Sequence, residues 1–307
     1  MNYDIQIRGD EKDNGLIEFD RLSQLTQSTK EIATKALMLR IGGFSELRPP
    51  KNLLKSLSIY LQSLSGNKTE GTFLLLNCEY FEKNIGSLQM NAFKPAEELL
   101  QLTPMALVIQ TFRSALIEEE DKDYLDKPLL KTLLKFKKNF INDNEIIYLS
   151  NRSSVPAIEI TMDDFEKIEN LEESIPEPNK VIINGKLDEM KYSKSKLVLI
   201  TEQGAVNAFS KDPSSIYSIK DYFGKELTIT GMAHYKPGGK LSFIEIQEFA
   251  EPGENDKFFS RIPHAMSVQQ QIAFEVKSGK SKNPLRELTG QWPGDESLDD
   301  LLKQLEE

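Results

Sequence analysis

The chain has one cysteine, one tryptophan and two histidines in 307 residues, and each scarcity closes off a class of function. A single thiol, Cys78, makes neither an internal disulfide nor a thiolate cluster, and its solitude suits a reducing compartment. Set in the apolar run "FLLLNCEYF", it reads as a small buried hydrophobe. His234 and His264 are the only imidazoles, and HExxH, CxxC and paired-histidine spacings are all missing, so the sequence predicts no metal site and no cofactor. No G-x-S-x-G elbow, P-loop or G-x-G-x-x-G follows a strand pattern, and no catalytic residue is assigned. Apolar runs long enough to cross a bilayer, about 18 residues, are absent too. The start, "MNYDIQIRGDEKD", has no basic region leading into an apolar one. Together these predict a cytoplasmic protein with no membrane span. Positive charge is also short: 38 Lys and Arg face 48 Asp and Glu, for a net charge of −10 and a pI of about 5.0. Binding to phosphate backbones would need a local basic patch.

What is present is a globular composition, 39% hydrophobic, in a length that suggests about two domains. "YDIQIR" alternates like a half-buried strand. Leu22, Leu25, Thr29, Ile32, Ala33, Ala36 and Leu37 recur at helical spacing until Gly42-Gly43 ends the pattern. A second helix is predicted over Asn52–Leu64, and "TFLLLNCEYF" and "GSLQMNAF" read as paired strands. Thr103 before Pro104, and Asp126 before Pro128, mark two further helix starts. "EIIYLS" and "VPAIEIT" read as strands, then a short helix spans Asp163–Leu171. Helices and strands mix without a βαβ rhythm, so residues 1–172 are predicted to be an α+β domain.

"ESIPEPNK", residues 173–180, reads as a linker. Beyond it, residues 180–250 hold five β-rich segments, turn signals at "TEQG" and "KPGG", and a helix, "PSSIYSIKDYF", between strands three and four. That order resembles an OB-like five-stranded barrel. Residues 251–307 are predicted to comprise an irregular linker, a helix and an acidic, partner-binding tail.

Three patterns carry candidate chemistry. Glu275 and Lys277 form an E-x-K pair, the spacing at which Mg²⁺-dependent nucleases set a carboxylate and a lysine on one strand. Its bland reading is a solvated helix face. "KPLLKTLLKFKKNF" sets Lys127, Lys131 and Lys135 on one helical face, with Lys138 following and no acid among them. The face is either a solvated helix surface or a phosphate contact without sequence readout. The barrel offers Tyr192 and Phe209 for base stacking, with Lys186, Lys191, Lys194 and Lys196 near them, or serves as a scaffold alone.

The tail is the most pointed feature. Residues 285–307 hold seven acids against two bases, half of the net charge. Ser297 suits an N-cap with Asp300 three residues on, and Leu298, Leu301, Leu302 and Leu305 form an apolar stripe. About ten residues make no stable helix alone in water, so the stripe must bury against this fold or against a partner. "GQWPGDESLDDLLKQL", preceded by "QQIAFEVKSGKSKNPLREL", resembles the C-terminal segment of small bacterial antitoxins paired with PIN-domain ribonuclease toxins. The likeness rests on Trp292, Pro293, Asp295, Glu296 and the leucine stripe, and residues 1–250 take no part in it. It implies a tail that wraps a toxin, its apolar side chains filling pockets while its carboxylates compete with RNA. The size of the N-terminal body implies a further task, such as sensing a phage-derived or nucleic-acid signal in anti-phage defence. A nucleic-acid-binding accessory protein and a nuclease built on Glu275 and Lys277 stand as alternatives, and oligomeric state is not legible.

Overall fold

Strand β1 (Asn2–Arg8) puts Tyr3, Ile5 and Ile7 on one face, as its alternation requires. It occurs in a computed structural model that describes residues 1–85, 97–151, 157–191, 196–212 and 217–266. Four more strands, β2 (Ile59–Asn67), β3 (Gly71–Cys78), β4 (Ile146–Asn151) and β5 (Ile158–Ile160), join it in an antiparallel sheet ordered β2-β3-β1-β4-β5. Ile5 lies opposite both Leu74 and Leu149, so the buried residues of the three central strands share a face. The helices supply the other half of that core: α1 (Phe19–Gly42), α2 (Lys51–Ser56), α3 (Phe81–Ile85), α4 (Glu97–Leu100), α5 (Pro104–Leu116), α6 (Lys127–Phe136) and α7 (Asp164–Glu173). This is the mixed α+β architecture expected from the irregular element order.

Caps place the long helices. The Glu18 carboxylate accepts the Asp20 and Arg21 N–H groups at the start of α1, and Gly43 closes it at φ 83°, donating its N–H to Leu39. Thr103 accepts from Ala106, and Asp126 from Leu129, as the two Pro-marked starts foretold. The helix expected over Asn52–Leu64 is corrected. Only Lys51–Ser56 is helical, and Ile59–Asn67 forms the sheet's edge strand against β3. A ladder with β3 outweighs a weak helical pattern rich in Ser and β-favouring Ile59 and Tyr60. The pairing expected between "TFLLLNCEYF" and "GSLQMNAF" gives way as well, since both edges of β3 are taken by β1 and β2. Residues 86–93 lie outside the described residues.

The five expected β segments after the linker are β6 (Asn179–Lys191), β7 (Lys196–Thr201), β8 (Gly204–Ser210), β9 (Glu226–Tyr235) and β10 (Leu241–Ala250). They close into a barrel ordered β6-β7-β8-β10-β9, antiparallel throughout except for the parallel pair β8 and β10. Ile183, Leu187, Leu199, Leu227, Ile229 and Ile244 fill its interior, a second core separate from the first. The "TEQG" turn is fixed by Thr201, whose hydroxyl donates to the Gly204 carbonyl, and "KPGG" places Gly238 and Gly239 at φ 83° and 80°. Gly231 is needed for a different reason. A Cβ there would stand 2.2 Å from the Glu245 carbonyl oxygen of the neighbouring strand.

By contacts the chain divides into two units, Met1–Ala265, which contains both cores, and Met266–Glu307. Among the described residues no helix is long and apolar enough to cross a membrane.

Candidate functional site

The lysine-bearing helix α6 starts from a buried anchor. Asp126 caps it and also accepts the backbone N–H of Ser45 at 2.8 Å and the Ser45 hydroxyl at 2.7 Å, which ties the loop after α1 to the first turn of α6. Burial pushes the Asp126 carboxyl up from its ordinary value, against these three donors and the charge of Lys35. Leu129, Leu130, Leu133 and Phe136 point into the first core, which leaves the lysines outside. Two of them meet acids. Lys127 sits 2.5 Å from Glu177 in the linker and 3.8 Å from Glu172 of α7, and Lys131 lies 3.9 Å from the same Glu172. Lys135 and Lys138 are exposed. The face read from sequence as uniformly basic is therefore half neutralised by acids that sequence spacing could not bring to it.

The aromatic face of the barrel is also not free. Phe209 is only 7% exposed, edge-on to Phe243 at 5.3 Å, with the Lys196 ammonium 5.8 Å above its ring. Phe243 stacks on His234 at 4.4 Å with 9° between the planes, and Phe44, from the loop after α1, packs on Phe243 at 4.5 Å. The sheet domain thus covers the side of the barrel where a stacking platform was expected at Phe209. Lys186 is exposed, whereas Tyr192 and Lys194 lie outside the described residues. Sequence reasoning missed aromatics around the barrel that do face solvent, among them Phe223, after the short helical turn that precedes β9, and Phe258, beyond β10.

Between the sheet domain and the barrel lies a cleft of about 260 Å³. Phe44, Pro128, Pro176 and Phe243 form apolar walls, and Ser242 and His234 supply polar atoms. The Ser242 hydroxyl and the His234 Nε2 are buried without a hydrogen-bond partner. His234 Nε2 does approach Glu245 to 3.4 Å, too far for a good bond, and Glu245 turns its other oxygen to Lys211 at 2.6 Å. Burial lowers the proton affinity of His234, and the carboxylates of Glu245 and Glu46 only partly restore it. Stacked on Phe243, the imidazole therefore favours its neutral form more than a free histidine does.

Compared with family models, curated proteins and solved structures, the chain matches none. The geometry stands on its own. Among the described residues no group of three or more His, Cys, Asp or Glu side chains is placed to hold a metal ion. Residues Trp292, Pro293, Asp295, Glu296, Leu298, Leu301, Leu302 and Leu305 of the tail, and Glu275 and Lys277 of the E-x-K pair, lie outside the described residues.

Proposed function

We propose that this chain is a non-catalytic, antitoxin-like regulator whose tail binds and restrains a PIN-type ribonuclease. The sheet domain and an OB-like barrel form the body that carries the tail. One observation carries the reading: residues 288–307 combine the W-P-x-D-E pattern with a four-leucine stripe. The stripe needs an apolar surface, and a partner's groove meets that need. The strand order of the barrel, with its parallel β8–β10 closure, favours the OB-like description.

The nucleic-acid reading keeps Lys135, Lys138 and the exposed Phe223 and Phe258 as its support, against the acid-paired Lys127 and Lys131 and the buried Phe209. The nuclease reading rests on Glu275 and Lys277 alone.

The test is co-expression with a PIN-domain ribonuclease encoded beside this gene. The full chain should bind it and suppress RNA cleavage, whereas a chain truncated after Ser281 should fold and do neither. Trp292→Ala should weaken the complex by at least about 2 kcal/mol, as loss of a buried aromatic anchor does. Undiminished inhibition by the truncated chain would overturn the reading. Salt-sensitive binding to single strands with no ribonuclease partner would favour the accessory-protein alternative.

A further inference from the structure

Among the described residues, strand β2 ends the sheet, with β3 on one side and no strand on the other. Its sequence, "IYLQSLSGN", contains no charged residue, in a protein 28% of whose residues are charged. Soluble proteins usually guard such an edge with lysine, proline or brevity. This edge has nine residues and none of those charges.

Its side chains are placed unusually as well. Leu61 lies opposite Leu76 and Leu64 opposite Leu74, with a register shift between Leu61 and Ser63 that leaves Gln62 as the extra residue of a bulge. Leu74 and Leu76 both face the helical layer and are buried. The bulge therefore turns Leu61 and Leu64, three residues apart, to the same inward face. In an unbroken strand they would point to opposite faces. Yet Leu61 is 44% exposed and Leu64 39%. Beside Leu61 a groove of about 210 Å³ runs between β2 and α1, lined by Leu25, Thr26, Thr29 and Lys30 on the helix side. Among the described residues the core layer is open beside Leu61.

We propose that β2 is the dimer interface of this protein, pairing antiparallel with β2 of a second copy about a two-fold axis between Gln62 and Ser63. In that register Leu61 stands opposite Leu64 of the other copy, Tyr60 opposite Ser65, and Ile59 opposite Gly66. Opposed residues in an antiparallel pair share a face, and here each pair does: Ile59, Leu61, Leu64 and Gly66 are inward, Tyr60 and Ser65 outward. The match exists only because of the bulge at Gln62, which resets the alternation midway. Four leucines then close one continuous helical-side layer across the joined sheets. Charge favours the same occupant. Copies with a net charge of −10 repel each other over most of their surface, and an uncharged strand is where they can meet at least cost.

The experiment is sedimentation velocity on the full chain, with two double variants of near-equal composition and exposure. The wild type should be a dimer that dissociates on dilution. Leu61→Lys with Leu64→Lys sets like charges opposite one another and should give monomers. Leu61→Lys with Leu64→Glu is complementary across the same axis and should keep the dimer. Circular dichroism of both variants reports whether each is folded. A wild-type monomer at about 100 μM, well above the range of weak specific dimers, would overturn the proposal. So would a dimer indifferent to the double-lysine change, or equal loss in both folded variants.

Discussion

Arg21 ties together three parts of the sheet domain. Its guanidinium meets Asp13 at 3.1 Å and both oxygens of Glu145 at 2.8 and 2.9 Å, and it donates twice to the Asn139 carbonyl. Glu145 is fully buried and also accepts the Ile141 N–H at 2.6 Å. Burial raises its proton affinity, and Arg21 and the Ile141 N–H hold it partly down. Arg21→Leu leaves buried carboxylates without their cation, so the expected loss is about 3–5 kcal/mol in urea unfolding. At His234 the expectation concerns pH. Its folded-state value lies below the ordinary 6.5, so the unfolded chain binds the proton more readily. Stability that is full above 6.5 is then lost as pH falls below it. His234→Phe, which keeps the ring stacked on Phe243, should flatten the decline of the urea midpoint between about pH 7 and about pH 5, while the wild type keeps it. Parallel declines in the two proteins would show that His234 is not its source. Neither network is legible in sequence, because Arg21 and Glu145 are 124 positions apart and His234 meets Phe44 only through the fold.

At the scale of elements, local signals are legible where they are strong and lost where neighbours decide. The Asp126 and Thr103 caps, the alternation of β1 and the five barrel strands are all written in short windows of sequence. Strand β2 is not, since its Ser- and Leu-containing stretch becomes a strand only beside β3. The anchor at Asp126 extends beyond its helix. Asp126→Ala removes a cap and strands the buried Ser45 N–H, and together these should cost about 2–4 kcal/mol. Gly231→Ala tests the barrel in the same way. Its Cβ would press on the Glu245 backbone, and overpacking of that kind should destabilise by about 1–3 kcal/mol, read as a lowered thermal midpoint. An unchanged midpoint would mean that the β9–β10 ladder yields there at little cost.

At the scale of the whole molecule, the sequence foretold an α+β domain followed by a five-stranded barrel, and both are present. It could not foretell that the loop bearing Phe44 packs over the barrel's aromatic side, because that contact joins residues some 200 positions apart. Trp292 is the only tryptophan, so its emission follows the tail alone. If the proposed PIN-type ribonuclease binds the tail, its addition should shift that emission to the blue, and no shift upon proven binding would place the contact elsewhere. The central position of β1 has a consequence for how the protein is made. The first strand synthesised waits for β4, nearly 140 residues later, before its second edge is paired. The barrel likewise cannot seal until β10 arrives to lie beside β8. Such long-range closures are slow, and synthesis completes the strands of the sheet before those of the barrel. On the ribosome, the residues of both described cores are translated before the acidic motif, so a message terminated between them encodes the sheet and the barrel without residues 288–307.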